Sequence, residues 1–553
     1  MFKTKIISSQ DKPFIDQSIE EFSALKRITA LGGEKLSIQL LYADEGKEQR
    51  LPFRPLAKVS LSGKLAEFAT ARDLRYMPVD RPVKPDEFDD QYLRTTPGIY
   101  PDLLTPLRYG GMVCPSRNKL RSIWIEIDIP EDFSGTDTFS VALDMEEHGV
   151  SAKESIEIEV IPAALPESEL IFTQWFYADC LASYYNVTPW SERHWEIVEN
   201  FLTVARNRGR NMIYTPLLTP ALNVNEPFER VPTQLVDVTV EGGEYTFSFD
   251  NLDRWVKICK KLGFKIYEIS HFFDQHHAKH SAKVYGKKDG EYGCIFGWET
   301  LALDGEYIRF LRALISAFIQ HMKELGEDKK CYFHLSDEPN LECLEHYLAI
   351  KNAVSDLLVD YKIMDALSDV DFYLTGALDT PVPTTTSAKD FIKNGAKDLW
   401  VYYACCQLVD YSNCYVAMPS YRTHSIGMQM YKYDIAGFLH WGFNYYNNRA
   451  SGDGINPYID LGGEDWVPAG DTFMVYPGLD GSVLESIRLL TLEEALQDIS
   501  AFKLCEKLYS KERVIKEIED ILGEEITFER CAHSTEEMLA IRERINQLIK
   551  EAI

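Results

Sequence analysis

Cys331-Tyr-Phe-His-Leu-Ser-Asp-Glu-Pro-Asn340 is a short run of aromatic and β-forming residues that ends in two adjacent acids and a proline. Read as a strand, it carries Asp337 and Glu338 to its C-terminal tip, and Pro339 cannot continue the ladder. A helical pattern follows over 341–358. Strand then helix is one βα unit, and in a closed barrel of such units the strand tips form the catalytic rim. Two carboxylates in different surroundings divide the work of proton donor and charge stabiliser. The plainer reading, acids placed at a helix N-terminus where the dipole favours negative charge, stands beside it.

Outward from this stretch the same alternation repeats. Strand patterns occur at 170–175, 211–215, 265–270, 330–335, 362–366, 398–404, 435–441 and 472–476. Helical patterns occur at 191–206, with Ser191 as N-cap, and at 251–262, 307–325, 341–358, 421–431 and 484–505. A polar hairpin over 236–249 turns at Gly242-Gly243. Eight alternations over about 340 residues predict an α/β fold, a (β/α)8 TIM-like barrel with long loops. An open doubly wound sheet is the alternative, and no Gly-rich dinucleotide or phosphate loop follows the first strand to support it.

Residues 1–165 read as mostly β, with alternating runs at 35–42, 57–61, 122–129, 139–144 and 155–161 punctuated by Gly, Pro and Asp. This predicts an N-terminal β-sandwich domain. Two prolines in Ile161-Pro-Ala-Ala-Leu-Pro-Glu-Ser168 mark the boundary of a catalytic barrel over 166–510. Residues 511–553 are charged and helical in period, with Ser534-Thr-Glu-Glu537 as a capping box, and predict a C-terminal helical extension.

Composition narrows the function. The net charge of −28, from 58 basic and 86 acidic residues, argues against nucleic-acid and anionic-membrane partners. No apolar run is long enough to cross a bilayer, and the first residues hold no apolar signal-peptide core. Eleven scattered cysteines, several inside apolar runs, fit reduced thiols in a cytoplasmic protein. Cys405-Cys406 is a candidate redox pair, though neighbouring cysteines at a strand end are more often structural. Aromatics make up 12% of the chain, which suits both a large core and sugar stacking. The oligomeric state is not legible.

Four motifs then carry a family resemblance: Phe333-His-Leu-Ser-Asp-Glu-Pro339, Leu439-His-Trp-Gly-Phe-Asn444, Asp471-Thr-Phe-Met-Val-Tyr-Pro-Gly478 and Glu485-Ser-Ile-Arg488. In order and spacing the chain resembles glycoside hydrolase family 123 and related barrel glycosidases over about residues 65–490. The resemblance implies exo-hydrolysis of β-linked N-acetylgalactosamine by a retaining, substrate-assisted mechanism, and no cofactor or metal is expected. It implies that Asp337 orients and stabilises the 2-acetamido group while Glu338 protonates the leaving oxygen and then activates water. The chemistry agrees. Ordinary retaining enzymes set two carboxylates about 5–5.5 Å apart across the bond, usually from different strands, which adjacent acids on one tip do not readily do. Such a donor calls for a carboxyl whose proton affinity is raised by burial and a charged neighbour.

Other rim residues are candidates for substrate binding. Trp441 and Asn444, at the end of the seventh predicted strand, would floor the pocket and bond hydroxyls; a Trp capping the barrel core is the structural alternative. Tyr403, Tyr445 and Tyr446 each lie near a strand end, and one of them would bond the acetamido carbonyl. His271 ends the third strand, while Tyr177 and Asp179, with Trp175, end the first. Trp298 would close over the ligand or anchor its own loop. Arg488 reads as a structural ion-pair partner. His276 and His280, four apart, are the best metal candidates, but no Glu lies between them as in zincins, and a solvated loop is the better reading. Three functions compete with the hexosaminidase type: a barrel glycosidase of other sugar preference, a metal-dependent hydrolase, and a non-catalytic carbohydrate-binding protein.

Overall fold

The computed structural model describes residues 2–44, 56–116, 118–145, 150–275, 277–449, 451–464 and 466–553. The N-terminal part holds two five-stranded sheets. In spatial order the first comprises Phe2–Ser8, Lys35–Asp44, Arg121–Asp128, Ala69–Val79 and Gly98–Pro106. The second comprises Arg27–Gly32, Val150–Ala164, Gly135–Met145, Ala57–Ser62 and Met112–Val113. Period-two alternation explains their packing. Ile123, Ile125 and Ile127 meet Phe139, Val141 and Leu143 in one apolar cluster between the sheets. The intervening Trp124 joins the larger core of the rest of the chain, and Glu126 pairs with Arg208 at 2.8 Å. One strand thus serves two interfaces.

The central unit is an eight-stranded parallel sheet. Its strands are β1 (Ile171–Gln174), β2 (Met212–Thr215), β3 (Ile266–Ile269), β4 (Cys331–Phe333), β5 (Lys362–Ala366), β6 (Thr380–Val382), β7 (Trp400–Tyr402) and β8 (Gly437–His440). They run in the spatial order β6-β5-β4-β3-β2-β1-β8-β7. The free edges of β6 and β7 meet through a parallel bridge between Thr384 and Tyr402, so the sheet is nearly closed and fits a TIM-like barrel. Helices follow the strands: α1 (Glu192–Asn207), α2 (Asp250–Leu262), α3 (Gly305–Glu324), α4 (Leu344–Leu358), α5 (Val370–Leu374), α6 (Ala388–Lys393), α7 (Ile426–Lys432) and α8 (Ile487–Leu508). Ser191 caps α1 by accepting the His194 N–H. Helices Lys511–Leu522 and Thr535–Ala552 pack on α8 through Phe502, Ile518 and Ile545. Ser534 caps the last of these by accepting the Glu537 N–H. The Glu537 carboxylate accepts from His533 N–H at 2.7 Å, one residue earlier than a capping box requires.

Two strand assignments change. Thr380–Val382 is the sixth strand and carries no sequence signal, because it is three residues long with Pro381 at its centre. The strands read at 398–404 and 435–441 are therefore the seventh and eighth. The segment read as the eighth lies outside the barrel, where Val475–Pro477 pairs antiparallel with Val483–Glu485. The reversal through Asp480 and Gly481 favours this local ribbon over a parallel partner.

Candidate active site

The strand C-termini converge on a cleft of about 160 Å³. Trp175 follows β1, Gln275 follows β3, and Asp337 and Glu338 follow β4. Tyr402 ends β7, and Trp441 follows β8, with Trp466 and Arg449 from the loop beyond it. Among the described residues lining the cleft, Asp337 and Glu338 are the only carboxylates. A larger surface hollow of about 590 Å³ beside Trp190 and Tyr285 has a single acid, Asp237, in its wall.

The two acids have opposite surroundings. Asp337 is 6% exposed, and its Oδ2 accepts from Gln275 Nε2 at 2.9 Å. Burial first, then the Glu338 charge, pushes the Asp337 carboxyl from 3.8 up to about 8. Glu338 is exposed and accepts a hydrogen bond from the Tyr402 hydroxyl. Its N–H donates to the Ala366 carbonyl at 3.1 Å. Burial therefore falls on Asp337 and not on Glu338, the acid read as the donor. Glu338 also has φ +49°, a left-handed conformation that a residue with a side chain seldom adopts. Gln275 is fixed in turn, its Oε1 accepting the Asn223 N–H at 2.9 Å. Gly442 lets the 471–472 backbone pass beside Trp441, since a Cβ there would lie 2.5 Å from the Asp471 and Thr472 carbonyls. Trp441 Nε1 donates to Asp471 Oδ2 at 2.9 Å, and its ring packs on Trp466 at 5.2 Å.

Of the residues singled out in the sequence, the structure brings Asp337, Glu338, Trp441 and Trp175 together in the cleft. Asn444 is fully buried, and its amide spends both ends on the Tyr177 backbone, at 2.9 and 3.0 Å. Tyr445 donates to the carbonyls of Asn223 and Asn448. Asp179 makes a buried two-pronged pair with Arg230 at 2.7 and 2.9 Å, and that guanidinium lies over the Tyr177 ring. These side chains build the rim from behind. Tyr403 turns away to pack on Phe438 and His440, so the cleft tyrosine on this strand is Tyr402, one residue earlier. His271 is buried below the floor, with Nδ1 3.0 Å from the Tyr214 hydroxyl. Trp298 anchors its loop by donating to the Phe228 carbonyl at 3.0 Å. Arg488 pairs with Asp102 in the core.

The sequence reading did not single out Gln275, Asn223, Tyr402 or Trp466 as site residues. Gln275 sits in the loop read for its histidines, and Tyr402 is the last residue of its three-residue strand while Tyr403, just past it, turns to the other side.

His276 lies outside the described residues, and His280 Nδ1 is 2.8 Å from Asp274. Among the described residues, two buried clusters have the donor types of a metal site: His271–His334–Asp365 and Cys414–His440–Asp471. In the first, the two ring nitrogens of His334 face Glu268 at 2.8 Å and Asp365 at 3.3 Å. Burial alone would lower this imidazole, but the two carboxylates raise it to about 9. In the second, Gln174 Nε2 donates to His440 Nδ1 at 2.7 Å. The other end of that amide is fixed by Arg210 at 3.0 and 2.6 Å. Nδ1 is thus an acceptor, and the proton sits on Nε2, 3.5 Å from Cys414 and from Asp471.

The family model for the glycoside hydrolase 123 catalytic domain matches residues 175–505. The chain belongs to the glycoside hydrolase 123 family. Its match begins at Trp175, at the tip of β1, and takes in every cleft residue named above. A family 123 glycoside hydrolase from Clostridium perfringens, described as hydrolysing glycolipid glycans, is similar in structure, with TM-score 0.73 and 17% identity. The alignment covers 100% of this chain and 98% of that one. An endo-β-1,4-mannanase from Thermotoga petrophila aligns over 61% of this chain and 77% of its own, at TM-score 0.34 and 11% identity. No curated protein matches the chain. This family 123 member is therefore a glycoside hydrolase acting on carbohydrate, and among the described residues no helix is long and apolar enough to cross a membrane.

Proposed function

We propose that this glycoside hydrolase removes terminal β-linked 2-acetamido sugars, N-acetylgalactosamine foremost, by a retaining substrate-assisted mechanism. The observation that carries the reading is the acid count: the cleft wall holds Asp337 and Glu338, adjacent in sequence, and no third carboxylate among the described lining residues. Among those residues no acid faces them to act as nucleophile across a sugar ring. A 2-acetamido oxygen supplies that nucleophile from the substrate.

Glu338 protonates the glycosidic oxygen as the acetamido oxygen closes on the anomeric carbon. Asp337 accepts the acetamido N–H and steadies the positive charge of the oxazolinium-like intermediate. Glu338, now ionised, takes a proton from the water that opens the ring, and β configuration is restored. In the empty site, burial and then the Glu338 charge hold a proton on Asp337. The bound acetamido N–H favours ionised Asp337, and the released proton passes to the glycosidic oxygen through its neighbouring acid. Tyr402 lines the cleft and takes the role of bonding the acetamido carbonyl by turning its hydroxyl from Glu338 to the substrate, while Trp441, Trp466 and Trp175 supply stacking faces.

Division into a β-sandwich over 1–165, a (β/α)8 barrel over 166–510 and a helical extension over 511–553 belongs to the same proposal. So does a cytoplasmic setting, supported by eleven free cysteines. Paired aryl glycosides with and without the 2-acetamido group test the reading. Turnover confined to the acetamido series, β anomer as the first product, and tight inhibition by a thiazoline analogue are expected. Equal turnover of both series would overturn it.

A further inference from the structure

We infer that Asp365 is the positioning residue of the acid pair, and that Glu268 and His334 tie it to Trp175 in one hydrogen-bonded chain under the cleft. The inference rests on Asp337 and Glu338 being the catalytic acids and is indifferent to which sugar they act on.

The need for such a residue follows from the backbone. β4 pairs with β5 only as far as Phe333–Ile363, and the chain rejoins β5 when the Glu338 N–H reaches the Ala366 carbonyl. The arc between them, which presents Asp337, leaves the ladder. Asp365 takes over there. Its Oδ1 accepts the backbone N–H groups of Leu335 at 3.0 Å and Ser336 at 3.2 Å, and faces His334 Nδ1 at 3.3 Å. Its Oδ2 accepts from the Tyr347 hydroxyl on α4 at 2.8 Å. A carboxylate that is fully buried and takes four donors fixes the arc more firmly than solvent would.

From His334 the chain continues across the barrel. His334 Nε2 meets Glu268 Oε1 at 2.8 Å, and the same oxygen accepts from Trp175 Nε1 at 2.7 Å. Glu268 Oε2 accepts from the Thr173 hydroxyl. One imidazolium between two carboxylates thus links the β4 tip, which bears the acids, to the β1 tip, which bears an aromatic wall of the cleft. The spacing between proton donor and sugar platform is set from below, and a displacement near 1 Å at this distance from the chemistry costs about 100-fold in rate.

The test is Asp365→Asn, which keeps the shape and one carbonyl oxygen but removes the charge opposite His334. It is assayed on whichever aryl glycoside the wild type hydrolyses, so a wrong sugar assignment leaves it intact. A fully active Glu338→Gln signals instead that the acids are misassigned. The expected result is kcat lower by about 100-fold with KM within about threefold and an unchanged circular dichroism spectrum. Combining it with Glu268→Gln is expected to cost less than the product of the single losses, because both act through His334. A folded Asp365→Asn enzyme with kcat within about threefold of wild type, or a loss that tracks KM and melting temperature together, overturns the inference. Should that variant fail to fold, Tyr347→Phe decides: a kcat loss near tenfold is expected, and less than about twofold overturns it.

Discussion

Replacing Asp337 by asparagine is expected to stabilise the protein, and more strongly in alkali than in acid. Burial and then the Glu338 charge lift this carboxyl from 3.8 to about 8 in the folded state. In the unfolded chain neither cause operates, and the group ionises near its ordinary value. Between about pH 4 and about pH 8 the folded protein therefore holds a proton that the unfolded chain has released, and folding stability falls as pH rises through that window. Below the window both states are protonated and the penalty is absent; above it the penalty is complete and level. At about 1.36 kcal/mol per pH step the ceiling is roughly 6 kcal/mol. Water entry and relaxation around a cleft residue bring the expected effect to about 2–3 kcal/mol. Asparagine keeps an amide oxygen for Gln275 Nε2 and has no proton to lose. Thermal melts of wild type and Asp337→Asn at about pH 5 and about pH 8.5, at one ionic strength, read the difference. The variant should melt higher, with its advantage a few degrees larger at the alkaline pH. A gap of the same size at both pH values, or one larger in acid, refutes the argument and removes the raised proton affinity of Asp337 with it.

Glu338→Gln is expected to lower turnover of glycosides with poor leaving groups by about 100- to 10,000-fold while sparing substrates whose leaving group needs no proton; a uniform loss across a leaving-group series counts against its role as acid. The proton held on Asp337 should leave near pH 8, and the proposed mechanism draws its acid from that proton, so kcat/KM for poor leaving groups falls above about that value. For highly activated aryl glycosides the same limb should flatten, and a limb identical for both would contradict the assignment. Asp179→Asn should cost about 3–5 kcal/mol by stranding buried Arg230, lowering the melting temperature while leaving kcat per folded molecule within about threefold; a kcat collapse without destabilisation would place Asp179 in the chemistry.

The barrel was legible where a strand stands beside a long helix, as at 362–366, read to the residue just after the helix Leu344–Leu358. It was illegible at Thr380–Val382, whose central proline argues against a strand and whose place in the sheet comes from β5 on one side and a single bridge on the other. The site divides the same way. Asp337, Glu338 and Trp441 are announced by motif. Asn444 and Asp179 have the same polar chemistry as substrate ligands, but the sequence does not reveal that a backbone amide and Arg230 already satisfy them. Rim position alone does not separate a side chain that meets substrate from one that holds the rim, because both stand at strand ends.

The adjacency of the acids also raises a geometric difficulty that the structure resolves. Successive residues of a regular strand point to opposite faces, so neighbours could not both serve one cleft. β4 ends at Phe333, four residues before Asp337, and frees the arc from that alternation. Glu338 then adopts φ +49°, and Asp337 and Glu338 line the same cavity. The strained conformation survives because fixed partners hold it on either side: the Ala366 carbonyl and Tyr402 at Glu338, Gln275 at Asp337. Chemistry follows from this packing. The proposed attack by a 2-acetamido oxygen of the substrate rests on this packing, in which Asp337 and Glu338 line one cleft and no third carboxylate is among its described lining residues.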